Sequence, residues 1–146
     1  MQPAARLRAS IEVLTEILDR GRPASMALAD WGRAHRFAGS ADRAAVGNLV
    51  FDALRKKQSL SYAMEDGSPR AIALAVLRLC WGLPADAIAA MCTGEGFAPE
   101  PLTPKEAARL ETPADLALAP LWVRGDYQEW LHPAFVGAFG EAAASE

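Results

Sequence analysis

Sulfur and imidazole are scarce: Cys80 and Cys92 are the only cysteines, and His35 and His132 the only histidines, among 146 residues. The two cysteines lie in separate apolar stretches with no histidine at ligand spacing, so no metal site is expected and both read as plain buried thiols. Long apolar runs are missing as well. The longest, 71–77, is closed by Arg70 and Arg78, far short of the roughly 18 apolar residues that a membrane span needs. Near the N-terminus Arg6 and Arg8 are followed by Glu12 and Glu16, with no apolar signal core or small-residue cleavage site, and a cytoplasmic location is expected. No stretch alternates apolar and polar residues, so a sheet has no support. A catalytic centre is also wanting. No serine sits in a nucleophile elbow, and no base or cation neighbours Cys92 in sequence. The Gly94-Glu95-Gly96 fragment lacks the third glycine and the preceding strand of a nucleotide loop.

What is present is helical. With 51% hydrophobic and 23% charged residues, the chain has the composition of one ordinary globular domain. Leu7, Ile11, Leu14 and Leu18 form one helical stripe over 3–20, ended by Gly21. Pro23 suits the first turn of a second helix with Ala27, Leu28, Trp31 and His35 on one face, stopping near 37–39. Ser40 is the expected cap of a long third helix running to about Tyr62, with Asp42 in its first turn and Val46, Leu49, Val50, Ala53 and Leu54 inward. Ser68-Pro69 opens a fourth helix that Ile72, Leu74, Val76, Leu77, Leu79 and Trp81 surround on nearly all sides, the pattern of a bundle centre. A short helix at Pro84 carries Ile88 and Met91. Thr103 and Glu106 form a capping box for another, and Thr112-Pro113-Ala114-Asp115 repeats that grammar. Asp126 can cap a turn holding Tyr127, Trp130 and Leu131 before Pro133. The expected class is all-α, a bundle of about six to eight helices over 1–140, with 141–146 read as a truncated linker.

Charge is unevenly spread. Residues 1–70 carry eleven Lys and Arg against eight Asp and Glu, whereas 71–146 carry four against ten, so a polyanion should meet the first half. Arg33, Arg36 and Arg43 gather around the start of the third helix and Arg55, Lys56 and Lys57 in its later part. Such cations neutralise phosphates with little sequence preference, although a solvated helix surface looks the same in sequence. Phe37 and Phe51 offer rings for stacking on bases, but both adjoin apolar helix faces and are expected to pack inward.

The runs Arg36-Phe37-Ala38-Gly39-Ser40-Ala41-Asp42-Arg43-Ala44-Ala45-Val46 and Leu49-Val50-Phe51-Asp52-Ala53-Leu54-Arg55-Lys56-Lys57 resemble the N-terminal domain of RsmB/Fmu-type RNA cytosine-5 methyltransferases. The likeness continues through Arg78-Leu79, the stretch from Thr93-Gly94-Glu95-Gly96-Phe97 to Pro101-Leu102-Thr103, and Trp130-Leu131 with Pro133. It implies a NusB-like helical bundle that binds RNA, ribosomal RNA foremost, through Arg33, Arg36, Arg43, Arg55, Lys56 and Lys57. It also implies a separate S-adenosylmethionine-dependent catalytic domain, absent here, as a partner. The family's catalytic motifs have no counterpart in these residues, so Cys80 and Cys92 are not the catalytic pair and no cofactor is expected in this chain; neither membrane nor DNA is an expected partner. A second expectation stays open: a protein-interaction module that docks the catalytic domain or another protein and touches RNA little.

Overall fold

A computed structural model describes residues 1–115. Over that span the chain is all-helical, seven α-helices with no strand: α1 (Pro3–Leu18), α2 (Ala24–Ala34), α3 (Ser40–Arg55), α4 (Lys57–Met64), α5 (Pro69–Ala75), α6 (Ala85–Met91) and α7 (Pro104–Glu111). A π-helical turn, Val76–Cys80, continues α5. The bundle of six to eight helices expected from the sequence is what forms. The expected turn around Tyr127 and Trp130, the Pro133 segment and the 141–146 linker lie outside the described residues. No described helix is long and apolar enough to cross a membrane.

The centre is α5, because its sequence leaves it no polar face. Every residue from Ala71 to Leu77 is buried, and α5 packs against α1, α3, α4 and α7. Small Ala71, Ala73 and Ala75 alternate with Ile72, Leu74 and Val76, which lets several helices approach one short segment. Ser68 caps it, its hydroxyl accepting from the Ala71 amide at 3.2 Å, with Pro69 in the first turn, where a missing N–H costs nothing. The apolar stripe of α1 then closes over this centre, with Leu7 and Leu14 buried and Ile11 and Leu18 half-buried.

Several local expectations need correction. The third helix does not run to Tyr62. It breaks at Lys56 (φ −112°, ψ 20°), whose carbonyl accepts from both the Leu60 amide at 3.0 Å and the Ser59 hydroxyl at 3.1 Å, so a new helix starts at Lys57. Ser40 is the first helical residue and not the cap. Gly39 holds the cap position, and its amide donates to the Asp42 carboxylate at 3.1 Å. Pro23 and Pro84 stand one place before their helices, not inside the first turn. The fourth helix leaves α geometry after Ala75: the Trp81 amide bonds back five residues to the Val76 carbonyl at 3.0 Å. The wider turn rotates the residues after Leu77 away from the centre, so Leu79 is half-buried and Trp81 is 39% exposed.

Two ion pairs tie the bundle across long stretches of chain. Arg70 on α5 meets Glu106 on α7, its Nε 2.8 Å from Oε2 and its Nη2 3.0 Å from Oε1. Glu106 also completes the anticipated capping box with Thr103, accepting from the Thr103 amide at 2.9 Å while its own amide donates to the Thr103 hydroxyl at 3.1 Å. Burial pushes the Glu106 carboxyl up, but Arg70 and the Thr103 amide together outweigh it and hold the group below its ordinary value. Asp42 at the start of α3 binds Arg6 of α1 at 2.8 Å, and its carboxyl is likewise held low, first by that guanidinium and then by the Gly39 amide.

Candidate nucleic-acid interface

The six sequence-predicted cations fall into two groups at opposite ends of α3. Arg43 and Arg55 are twelve residues apart on that helix, which is about 18 Å along its axis and about 120° around it. The bundle therefore presents two loci.

At the first locus, α2 ends at Ala34 and the chain turns through His35, Arg36 and Phe37 into α3. Arg43 holds that turn closed. Its Nε donates to the Ala38 carbonyl at 3.0 Å and its Nη2 to the carbonyls of Gly32 at 3.0 Å and His35 at 3.3 Å, so its donors face the protein's own backbone. Arg33 pairs with Asp30, which also pairs with Arg22; that carboxyl sits below its ordinary value, through Arg22 first and then Arg33. Arg36 is exposed and has no ion-pair partner among the described residues. Beside it Phe37 stands 73% exposed, its ring edge-on to His35 at 5.7 Å, and His35 in turn stacks on buried Trp31 at 5.0 Å. A methyl group on Gly32 would run into Nη1 of Arg43. Replacing Gly32 with Ala is thus expected to displace the arginine; the loss of one or two charge-assisted hydrogen bonds is largely offset by alanine's helix preference, for a net cost of about 1 kcal/mol or less in chemical denaturation.

At the second locus Asp52 organises the surface. One carboxylate oxygen accepts from Arg55 Nη2 at 2.7 Å and the other from the Trp81 indole N–H at 2.9 Å. Phe51, next to it, is 51% exposed. Lys57 opens α4, exposed and without an ion-pair partner among the described residues. Lys56 is buried, 3% exposed, at the junction between α3 and α4, which removes its side chain from any phosphate-facing surface.

The structure therefore brings together fewer cations than the sequence suggested and more aromatic surface. Phe37 and Phe51 do not pack inward as expected: Phe37 follows the end of α2, and Phe51 lies on the side of α3 opposite the stripe of Val46, Leu49, Val50 and Ala53. Trp81 was expected in the centre and Phe97 carried no assigned role; both are exposed. The Gly94 to Ala98 turn, with Gly94 and Gly96 both at positive φ, places Phe97 at 76% exposure. Phe37 and Phe97 flank a groove of about 560 Å³ whose floor is the start of α1. Neither cysteine is in a disulfide, and burial pushes the Cys92 thiol up, which makes it a poor nucleophile. Gly94-Glu95-Gly96 follows α6 and not a strand, so these residues do not fit the loop that would hold S-adenosylmethionine. No protein-family model, curated protein or solved structure matches the chain.

Proposed function

We propose that this chain is an RNA-binding accessory domain of the NusB-like kind, holding structured RNA for a separate S-adenosylmethionine-dependent cytosine-5 methyltransferase domain. One observation carries the reading. Near each end of α3 the sequence carries an exposed cation without an ion-pair partner among the described residues and an exposed aromatic ring, Arg36 and Phe37 before the helix, Phe51 and Lys57 in and after its last turns. Cations supply phosphate affinity and rings supply stacking, the combination that single-stranded and looped RNA calls for. Lys57 also stands at a helix N-terminus, where its charge opposes the helix dipole, a local cost of about 0.3–1 kcal/mol that an approaching phosphate would offset. Arg55 is held by Asp52 and so brings little net charge. The accessory domain's contribution is positioning: binding energy spent here fixes the register in which a distant site receives its base.

Ribosomal RNA is the class that the family resemblance favours. Fluorescence anisotropy with a ribosomal RNA fragment over a salt series is expected to show binding at low salt, with log affinity falling linearly in log salt at a slope of about −1 to −3, in keeping with a few phosphate contacts. Absence of binding at low salt contradicts the reading. The acidic second half of the chain favours the second reading, a surface docking the catalytic domain or another protein. Capture of a separately expressed catalytic domain without any RNA affinity would select it.

A further inference from the structure

The groove between the start of α1, the corner at 35–37 and the turn at 94–98 adjoins the Arg36–Phe37 locus described above. It measures about 560 Å³, within the range of small-ligand sites, and Phe37 and Phe97 are the two phenyl rings on its lining. Ala5 and Ala9 of α1 form part of its floor; larger residues there would fill it. Both rings are about three-quarters exposed, a large apolar surface to leave in water. The polar side chains on the lining are Gln2, Arg8, Glu12, His35 and Glu95, beside the N-terminal ammonium of Met1. Glu12 and Glu95 contribute carboxylates, and His35 donates its Nδ1 proton to the Trp31 carbonyl at 2.8 Å, which leaves Nε2 as the acceptor of the neutral ring. Two donors are engaged within the protein, the Met1 ammonium by Asp42 at 3.4 Å and the Arg8 guanidinium by Glu12 and the Gly96 carbonyl, both at 3.3 Å, which braces the 94–98 turn against α1; the Gln2 amide offers both N–H and carbonyl. Arg36, next to Phe37 in sequence, is the cation open to a phosphate.

Resting on the RNA-binding reading, we propose that this groove takes one unpaired nucleobase bearing an exocyclic amino group, cytosine or adenine, between Phe37 and Phe97, with its backbone phosphate on Arg36. A flat ring meets phenyl rings, an amino group meets carboxylate and imidazole acceptors, and the phosphate meets the cation. Uracil, whose edge carries two carbonyls and one N–H, leaves those acceptors facing oxygen. The RNA class follows: a stem with a bulge or loop, not a continuous duplex.

The test uses the full chain and RNA hairpins of one length, fully paired or with a single bulged nucleotide that is cytosine, uracil or the fluorescent adenine analogue 2-aminopurine. The cytosine bulge is expected to bind about ten-fold more tightly than the paired hairpin, and 2-aminopurine emission should be quenched on binding as the base stacks. Phe37→Ala and Phe97→Ala, both at exposed positions, should each abolish that preference and the quenching, while melting temperature and salt slope stay as in the parent protein. If paired and bulged hairpins bind alike, or the two variants keep the preference, the groove is not a base site although RNA binding stands. If bulged uracil binds as tightly as cytosine, the assignment of the acceptors is wrong. Failure of every hairpin to bind at low salt removes the inference and the RNA reading together.

Discussion

Leu74→Ala is expected to destabilise the protein by about 3–5 kcal/mol, enough to lower Tm by roughly 10–20 °C. Leu74 is fully buried in the last turn of α5, the segment against which α1, α3, α4 and α7 all pack, so the cavity has walls from several helices and no single one can move in to fill it. The comparison that makes the result specific is Leu79→Ala. That residue follows the point where the chain widens into a π turn and is only half-buried, and its truncation should cost less than half as much. Equal losses at the two positions would contradict the central place given to α5. Circular dichroism during urea unfolding measures both.

Glu106→Ala should cost about 3 kcal/mol, through two separate losses. The amide of Thr103 loses its acceptor at the start of α7, and Arg70, with its side chain three-quarters buried, loses the carboxylate that neutralises it. The same pair sets the acid limb of stability. Because the folded Glu106 carboxyl lies below its ordinary value, it binds fewer protons folded than unfolded at intermediate pH. Its contribution is therefore full above the unfolded carboxylate range, and is lost as pH falls through the lowered folded value. Asp42 at the α3 cap has the same sign. Urea midpoints should drop steeply between about pH 5 and pH 3, and the drop should be shallower in Glu106→Gln, which cannot titrate.

The parts of the fold that were legible in sequence are those set by short-range grammar. Ser68-Pro69 and Thr103 with Glu106 mark helix starts because the bonds they make are local, and 71–77 announces a buried helix because no neighbouring arrangement could solvate it. The break at Lys56 was not legible. Nothing in Arg55-Lys56-Lys57 forbids a continuous helix, yet the chain breaks there with Lys56 buried. The π turn after Ala75 is of the same kind: its five-residue bonds have no residue signature, yet they turn Trp81 from expected core into surface.

The candidate site was half legible. Counting cations found both ends of α3, but charge in a sequence does not say which donors are already spent. Arg43 proves to be a clamp on three backbone carbonyls, and Arg33 and Arg55 are paired within three residues. Asp30 and Asp52, each three residues before an arginine on a helix, were the available signal for those pairs. Phe51 could have been placed outward by continuing the helical wheel, since it lies about 150° from the centre of the buried stripe. Phe97 sits in a glycine-rich turn, where exposure is the usual fate, but its meeting with Phe37 across a groove depends on how α1 packs beneath both and could only be seen in three dimensions.

The measurement closest to the central claim is RNA affinity at low salt for the double variant Arg36→Glu, Lys57→Glu, alongside Lys56→Ala and Arg43→Ala. Two open cations are held to do the binding, so the double reversal should weaken affinity by about ten- to hundred-fold and make the salt slope shallower, with the fold intact by circular dichroism. The other two variants should change stability more than affinity. Unaltered RNA binding by the folded double variant would contradict the account.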